Sequence, residues 1–260
     1  MITFTLKSGA SFQHSDPAKQ NVLGTVPYGV FMAVLETMNG VALKKATVLN
    51  DSDLSSQGRE RRLQPLYESA WAMLACAYQS LEQFDLAVAQ REAVMLAVPK
   101  LDTGAAAVAF EDVETRQWWR SLSLAERNDA MAEIANGGEE AATKYRRLSI
   151  ALMRSPTPLP LQRETEFFRK AWNDAARAAH PDEAVAIDAD HNASAWATRG
   201  IGHLHGLLAG MTGWSRLQLL NWLILSPENI GAAKALGYGV MEVAAAKQRQ
   251  QAVGRVSTTA

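Results

Sequence analysis

One stretch of helical periodicity constrains the fold of this chain more than any other feature. Between residues 64 and 98, apolar side chains recur at steps of three, four and seven residues, the spacing of one helix face; they are Leu66, Ala70, Leu74, Ala77, Leu81 and Val88. Proline is tolerated in the first turn of a helix, so Pro65 predicts a start near residues 62–64, and Pro99 predicts the end. A continuous helix of this length would extend roughly 50 Å. The pattern does not distinguish one helix from a helix–turn–helix.

Most of the remaining chain also has the pattern of helices. Ser123 and Glu126 have the spacing of a capping box, and Asn39-Gly40 is a typical helix stop. Residues 50–58 and 188–192 are polar and predict a linker and a loop. Helices are expected at about 28–38, 105–122, 123–136, 139–154, 164–179, 193–208 and 214–225, with a further start at 226–228. About two thirds of the chain is then helical, twice the usual share, which predicts a mainly α fold.

The first residues predict a short β arm. Ile2, Phe4 and Leu6 alternate with polar residues, the period of a strand with one buried face. A lone strand is unstable, so this one needs a partner in the same chain or in a neighbouring copy. The fold class is therefore a helical bundle or hairpin with one long helix and a short N-terminal β arm.

Changes in composition divide the chain into four regions. The prolines at 156, 158 and 160 form the clearest internal boundary, because they interrupt regular structure. We expect an N-terminal arm at 1–50, a long-helix region at 51–154, a C-terminal helical region at 155–246 and a polar tail at 247–260.

Composition and charge exclude some classes of protein. The chain has 260 residues, 48% of them hydrophobic, and a net charge of −1, which argues against a protein that coats nucleic acid over most of its surface. The start, MITFTLKSG, lacks the pattern of a signal peptide, and the apolar run 217–225 is shorter than the roughly 18 residues of a membrane span. We therefore expect assembly in a reducing cytoplasm. Cys76, the single cysteine, is expected to be a buried hydrophobe.

No motif in the sequence predicts catalysis or a bound metal. His203 and His205 are the closest pair of histidines, but residues two apart on a helix point to different faces and cannot share one ion. A phosphate-binding loop, a nucleophile elbow and a zinc-protease motif are all absent from the sequence. We therefore expect no catalytic residue, no metal and no cofactor.

Two groups of residues are candidates for partner binding. Arg59, Arg61 and Arg62 lie where the long helix begins, and cations there oppose the helix dipole at a cost of about a few tenths of a kcal/mol each. They either pair with Glu60, Glu68 or Asp53, or contact an acidic partner or DNA. Trp118 and Trp119 are adjacent on a helix and cannot face the same way, so one of them is expected to meet another helix or another chain. Trp and Arg are enriched at the energetic centres of interfaces.

Residues 71–99 contain a regularly spaced series: Trp71, Leu74, Ala75, Tyr78, Phe84, Ala87 and Pro99. In this spacing the segment resembles a single tetratricopeptide unit. Glu82-Gln83 stands where the turn of that unit usually has a glycine. The resemblance implies a helix–turn–helix and, for the whole chain, an adaptor that binds a peptide in a helical groove.

A longer region combines GRERRL, a long helix, EDVETRQWWRSLSLAERNDAMAEI and ALMRSPTPL, over about 100 residues. Its characteristic residues are Gly58, Arg59, Leu63, Glu114, Arg116, Trp118, Leu122, Glu126, Arg127, Leu152 and Pro156. With these residues the region is similar to small helical proteins encoded among the head and tail genes of tailed bacteriophages. The resemblance implies no catalytic residues and a virion or assembly component that packs against copies of itself and other particle proteins.

The sequence therefore leads to one expected function and two alternatives. The first is a non-enzymatic component of a tailed-phage particle (inside the head, at the neck or ejected), made in the host cytoplasm and located in the virion. It would form homo-oligomers and bind other virion proteins, with membrane contact through residues 217–225 only if it is ejected. The alternatives are the tetratricopeptide-like adaptor and a helical DNA-binding packaging factor that uses the local basic patch of arginines.

Overall fold

The protein is mainly α-helical. A computed structural model describes residues 1–101, 104–155, 159, 161–225, 233–234 and 236–257, and gives only the backbone of 139, 142, 143 and 250–257. Helices make up 77% of the structure, and two short antiparallel strands lie at the N-terminus. This confirms the predicted fold class. The elements are β1 Ile2–Thr5, β2 Ser11–His14, α1 Val26–Asn50, α2 Ser56–Met95, α3 Ala106–Ser121, α4 Leu124–Asn136, α5 Gly138–Met153, α6 Gln162–Ala179, α7 Pro181–Thr212, α8 Arg216–Leu225 and α9 Val240–Ser257.

The chain forms two compact units. Unit 1 contains residues 1–88 and 188–260, and unit 2 contains residues 89–187. These boundaries fall inside α2 and α7, whereas the division expected from composition falls at 50, 154 and 246. The two differ because linker composition marks where helices end, while compact units can be divided within a continuous helix. The prolines at 156, 158 and 160 lie outside the described residues.

The N-terminal strand finds its partner in its own chain. β1 pairs with β2 in an antiparallel hairpin whose register joins Ile2 to His14 and Thr5 to Ser11. β2 was not expected, because its four residues are too short to show a clear alternation. The hairpin contributes Phe4 and Phe12 to the edge of the unit 1 core. The largest fully buried side chains of that core are Leu6, Phe31, Met38, Trp71, Leu74, Trp196, Ile201, Leu204 and Leu208.

Helix α1 is much longer than the sequence suggested. The predicted stop at Asn39-Gly40 is wrong, since α1 runs from Val26 to Asn50. Thr25 caps its first turn, and the Thr25 side chain accepts a hydrogen bond from the Tyr28 amide at 3.3 Å. Burial of Met38 and Val41 on both sides of Gly40 stabilises the helix across the glycine. Among the described residues, α1 is the one helix with the length and apolar composition to cross a membrane. Most of its buried residues belong to the core of unit 1: Phe31, Val34, Leu35, Met38 and Val41.

Helix α2 is continuous from Ser56 to Met95, so its predicted start at residues 62–64 is wrong. The helix begins earlier because Ser55 satisfies its first turn, with its hydroxyl accepting from the Gly58 amide at 3.1 Å. Pro65 therefore lies inside the helix. The helix also passes through Glu82 and Gln83, so the turn that a tetratricopeptide unit requires is absent.

Cys76 is exposed, contrary to expectation. Its neighbours Leu74, Ala75 and Ala77 are buried, but position 76 lies on the opposite side of α2. Local apolar composition did not reveal this, because burial on a helix follows the angular position of a residue and not the character of its immediate neighbours.

The predicted loop at 188–192 is also wrong, because these residues continue α7. Polar residues here form the exposed side of a helix whose other side buries Ile187, Ala193 and Trp196. Asn192 donates to the Gln20 carbonyl at 2.9 Å and so ties this part of α7 to the segment before α1.

Unit 2 has its own smaller core, formed by Trp119, Leu148, Leu152 and Phe168. The predicted capping box of α4 is confirmed. The Ser123 hydroxyl accepts a hydrogen bond from the Glu126 amide at 3.3 Å, and the Glu126 carboxylate accepts one from the Ser123 amide at 2.7 Å. The helices expected at 105–122, 139–154 and 164–179 are observed as α3, α5 and α6. The start expected at 226–228 lies outside the described residues.

Candidate interaction surfaces

Helix α3 separates the two adjacent tryptophans, as predicted. Trp119 is fully buried, whereas 47% of Trp118 is exposed. Phe110 and Val113, on the same helix, are also exposed, at 66% and 40%. We call Phe110, Val113 and Trp118 the α3 face. Three large apolar side chains exposed on one short helix form a surface that a protein partner would cover favourably.

The opposite side of α3 is anchored by Trp119. Its ring packs edge-on against Phe168 at 5.1 Å between centroids, and its indole N–H donates to the carboxylate of Glu164 at 3.3 Å. Glu164 is itself fully buried and lies 3.2 Å from the guanidinium of Arg127, an ion pair without hydrogen-bond geometry. These contacts join α3, α4 and α6.

A second buried ion pair holds α3 to the end of α5. Arg154 donates to the carboxylate of Asp112 at 3.1 Å, and the Asp112 side chain is 2% exposed. Arg116 donates to the Ala151 carbonyl at 3.2 Å in the same region. Since the inner side of α3 is fixed by buried polar contacts, its outer side is presented in a defined orientation.

The arginines predicted to bind a partner lie in unit 1, at the start of α2. Arg59 donates to the backbone carbonyl of Asp51 at 2.9 Å, and Arg62 lies 3.5 Å from the Asp51 carboxylate. They therefore contact the preceding linker and not the expected Glu60, Glu68 or Asp53. Arg61 is exposed. Exposed ion pairs of this kind contribute about 0–1 kcal/mol, so the role shown for Arg59 and Arg62 is mainly to position the linker.

The predicted site residues thus fall into two separate groups. The three arginines are in unit 1 and the two tryptophans are in unit 2. Of the two tryptophans, Trp118 has the exposure that a partner contact needs, while Trp119 is fully buried and has a structural role. The two other members of the α3 face, Phe110 and Val113, were missed from the sequence. The signal was present, since Val113 follows Phe110 by three residues and Trp118 follows it by eight, the spacing of one side of a helix.

The histidines of α7 lie on different faces, as expected from their spacing. His203 stacks on Phe12 at 5.4 Å, and His205 packs edge-on against Trp71 at 5.4 Å. The Nδ1 atom of His205 is 3.4 Å from the hydroxyl of Tyr78. Burial lowers the pKa of His205 and raises the pKa of Tyr78, so both side chains favour their neutral forms. Among the described residues, no three His, Cys, Asp or Glu side chains form a group that could hold a metal.

Sequence reasoning also missed His14, which is 4% exposed. Its Nε2 atom lies 3.0 Å from the Trp196 carbonyl, and burial lowers its pKa. Nothing in the sequence indicated burial, because His14 ends a strand of four residues next to a polar turn. The structure brings it into an aromatic cluster with Phe4, Phe31 and Trp196.

Unit 2 contains an open cavity of about 900 Å³ among α4, α5, α6 and the segment after α2. Its lining combines the aromatic residues Tyr145, Phe167 and Trp172 with alanines of α6, and Arg146 and Lys170 are also part of it. The indole of Trp172 donates to the Leu96 carbonyl at 2.9 Å and fixes one wall. Such a lining suits apolar side chains or a small apolar molecule.

The apolar stretch 217–225 forms α8, and most of its large side chains are internal. Leu219, Leu220, Leu223 and Ile224 are buried in the unit 1 core, while Leu217 and Leu225 are exposed. Its apolar residues are thus used mainly in packing.

Comparison of the chain with models of protein families, with curated proteins and with solved structures finds no match.

Proposed function

We propose that this protein is a non-enzymatic assembly component of a tailed-phage particle, and that it associates with itself and with other virion proteins through the α3 face. The particle assignment is supported by the sequence resemblance between residues 58 and 156. The mode of action is supported by the structure of unit 2, in which the resemblance includes both the exposed Trp118 and the half-buried Arg127, whose side chain is 13% exposed.

The observation that carries the proposal is the exposure of Trp118 beside Phe110, at 47% and 66%. Full burial of one such aromatic side chain stabilises a complex by about 2–3 kcal/mol. Leaving two in water on a well-anchored helix has no benefit to the isolated chain. Contact with a partner removes this apolar area from water, which gives the surface a role.

The two alternatives have less structural support. The adaptor interpretation needs a helical hairpin at 71–99, whereas α2 is one continuous helix from Ser56 to Met95. The DNA interpretation needs three available arginines, and two of them contact Asp51. Its prediction stands: charge reversal at Arg59, Arg61 and Arg62 would abolish salt-sensitive DNA binding.

The first test is the solution mass of the full chain by light scattering after size-exclusion chromatography at physiological salt. We expect a discrete oligomer for the natural chain and a species near the 28.3 kDa of one chain for the double variant Phe110→Ser, Trp118→Ala. Leu86→Ser is the matched control, because Leu86 is 59% exposed but lies on α2 in unit 1. A natural chain that stays monomeric at about 100 μM would contradict self-association through this face.

The particle assignment is tested separately. Mass spectrometry of purified particles produced by the host that encodes the chain should detect it at a fixed copy number relative to the major capsid protein. Its absence from particles and from assembly intermediates would contradict the assignment, whatever the oligomeric state.

A further inference from the structure

The β1–β2 hairpin is attached to α7 by a reciprocal pair of hydrogen bonds. The Nε2 of His14 donates to the Trp196 carbonyl at 3.0 Å, and the indole N–H of Trp196 donates to the Ser15 carbonyl at 3.0 Å. Both rings are buried, His14 at 4% and Trp196 at 0% exposure. Three residues, His14, Ser15 and Trp196, thus provide two hydrogen bonds that join the end of the hairpin to the helix.

The surroundings of His14 suit a neutral ring and not a cation. Its centroid lies 4.5 Å from Trp196 and 6.1 Å from Phe31, while β1 contributes Phe4 at 6.4 Å. β1 and α1 therefore present uncharged aromatic rings. The charged and titratable groups that act on His14 are Arg199 and His203, both on α7, and both disfavour a second positive charge nearby.

The approach of the hairpin to α7 is unusually close. A Cβ atom on Gly200 would lie 2.8 Å from the Phe31 ring and 3.2 Å from the Nε2 of His14. Protein atoms therefore lie close to the Nε2 side of the ring, and His14 is 4% exposed, so a protonated ring could gain hydration only if the hairpin moved away. Burial disfavours the charged ring more than the hydrogen bond to the Trp196 carbonyl favours it, so the pKa of His14 in the docked hairpin is lowered.

We propose that the hairpin is an arm released by acid: protonation of His14 detaches residues 1–15 from α1 and α7 and uncovers the aromatic surface of Phe31 and Trp196. This regulation goes beyond the proposed function and does not depend on the α3 face. Burial lowers the pKa of His14 from its ordinary value of 6.5, so the docked arm prefers the neutral ring. Its docking is fully stable above pH 6.5 and weakens as the pH falls below 6.5.

The test is hydrogen exchange of the full chain, followed by mass spectrometry and corrected for the intrinsic pH dependence of exchange. Linkage to one proton with an ordinary pKa of 6.5 limits the effect to about a 30-fold increase in opening between pH 7.5 and pH 5.0. We expect protection of residues 2–14 to fall by up to this factor, while peptides of α3–α6 keep theirs. Equal protection of the hairpin at both pH values, or an equal loss in every peptide, would overturn the proposal.

Two variants identify the titrating group. His14→Gln keeps an N–H that can donate to Trp196 but cannot titrate, so hairpin protection should become independent of pH. His203→Gln removes a group that disfavours a charge on His14, so the loss of hairpin protection between pH 7.5 and pH 5.0 should become smaller. An unchanged loss would count against the role of this neighbour on α7. If His14→Gln leaves the hairpin unprotected at both pH values, the proposal is tested instead by the pKa of His14 in the natural chain, which ¹³C-detected NMR measures. A value at or above 6.5 would refute the proposal, and a lower one would support it.

Discussion

The indole of Trp119 donates a hydrogen bond to the carboxylate of Glu164 across 3.3 Å, and both side chains are fully buried. Arg127 supplies the positive charge that the carboxylate needs, at 3.2 Å and 13% side-chain exposure. A charge this deep is tolerated only while it is paired, so the three residues depend on one another.

Removing one partner of this pair should therefore cost more than removing both. We expect Arg127→Met to lower the free energy of unfolding by about 3–5 kcal/mol, because it leaves a buried carboxylate unpaired. The double variant Arg127→Met, Glu164→Leu should recover much of that loss. Urea denaturation of the two single variants and the double variant forms a cycle, and strict additivity of the three values would contradict the pairing.

The two adjacent tryptophans should differ sharply in their effect on stability. Trp119→Ala empties the centre of the unit 2 core and should destabilise the protein by about 3–5 kcal/mol. Trp118→Ala removes a half-exposed ring and should change stability by less than about 1 kcal/mol. Chemical denaturation of both variants at a concentration where the chain is monomeric checks this, and similar losses would show that the assignment of faces on α3 is incorrect.

Two glycines on α7 should respond in opposite directions to alanine. A Cβ at position 200 would meet the Phe31 ring at 2.8 Å, so Gly200→Ala should destabilise by about 1–3 kcal/mol. At position 202 the same Cβ meets nothing within 4 Å, so Gly202→Ala should stabilise by about 0.5–1 kcal/mol through helix propensity. The thermal midpoints of the two variants should lie on either side of that of the natural chain. A stabilising Gly200→Ala would mean that the hairpin and α1 do not approach α7 this closely.

Pro65 should be a weak point of α2. It lies inside the helix and is exposed, so its missing amide removes a backbone hydrogen bond without a compensating contact. Pro65→Ala should stabilise the protein by up to about 3 kcal/mol. The check is a thermal melt monitored by circular dichroism, with Gln64→Ala as the control for a neighbouring exposed position. A lower midpoint for Pro65→Ala would show that the proline is needed where it stands.

Local signals predicted what local interactions determine. The capping box of Ser123 and Glu126, the first strand and the separation of Trp118 from Trp119 depend on residues a few positions apart, and all were predictable. The interpretation was wrong where a distant contact outweighed a local preference. Burial of Met38 and Val41 carries α1 past Gly40, and the contact of Asn192 with Gln20 belongs to a segment that looked like a loop.

The candidate surface was predictable in part for the same reason. Adjacent tryptophans on a helix must diverge, so one of the two was expected to meet another helix or another chain. Which of them is buried depends on Glu164, a residue 45 positions away from Trp119. The role of Arg59 and Arg62 depends on Asp51, which lies just before α2. The contact was not predicted, because Pro65 placed the expected start of α2 near residues 62–64, whereas the helix begins at Ser56. His14 could not be identified at all, since its burial arises from Trp196, 182 residues further along the chain.

The division of unit 1 between the two ends of the chain affects its synthesis. Unit 2 is continuous and can fold soon after it leaves the ribosome, whereas the core of unit 1 needs residues from 188 onward. At a synthesis rate of about 5–20 residues per second, the α7 residues that cover the apolar side of α1 are made roughly 8 to 30 s after α1 itself. During that interval the nascent chain exposes Phe31, Val34 and Met38, the residues that a chaperone or a neighbouring nascent chain would meet first.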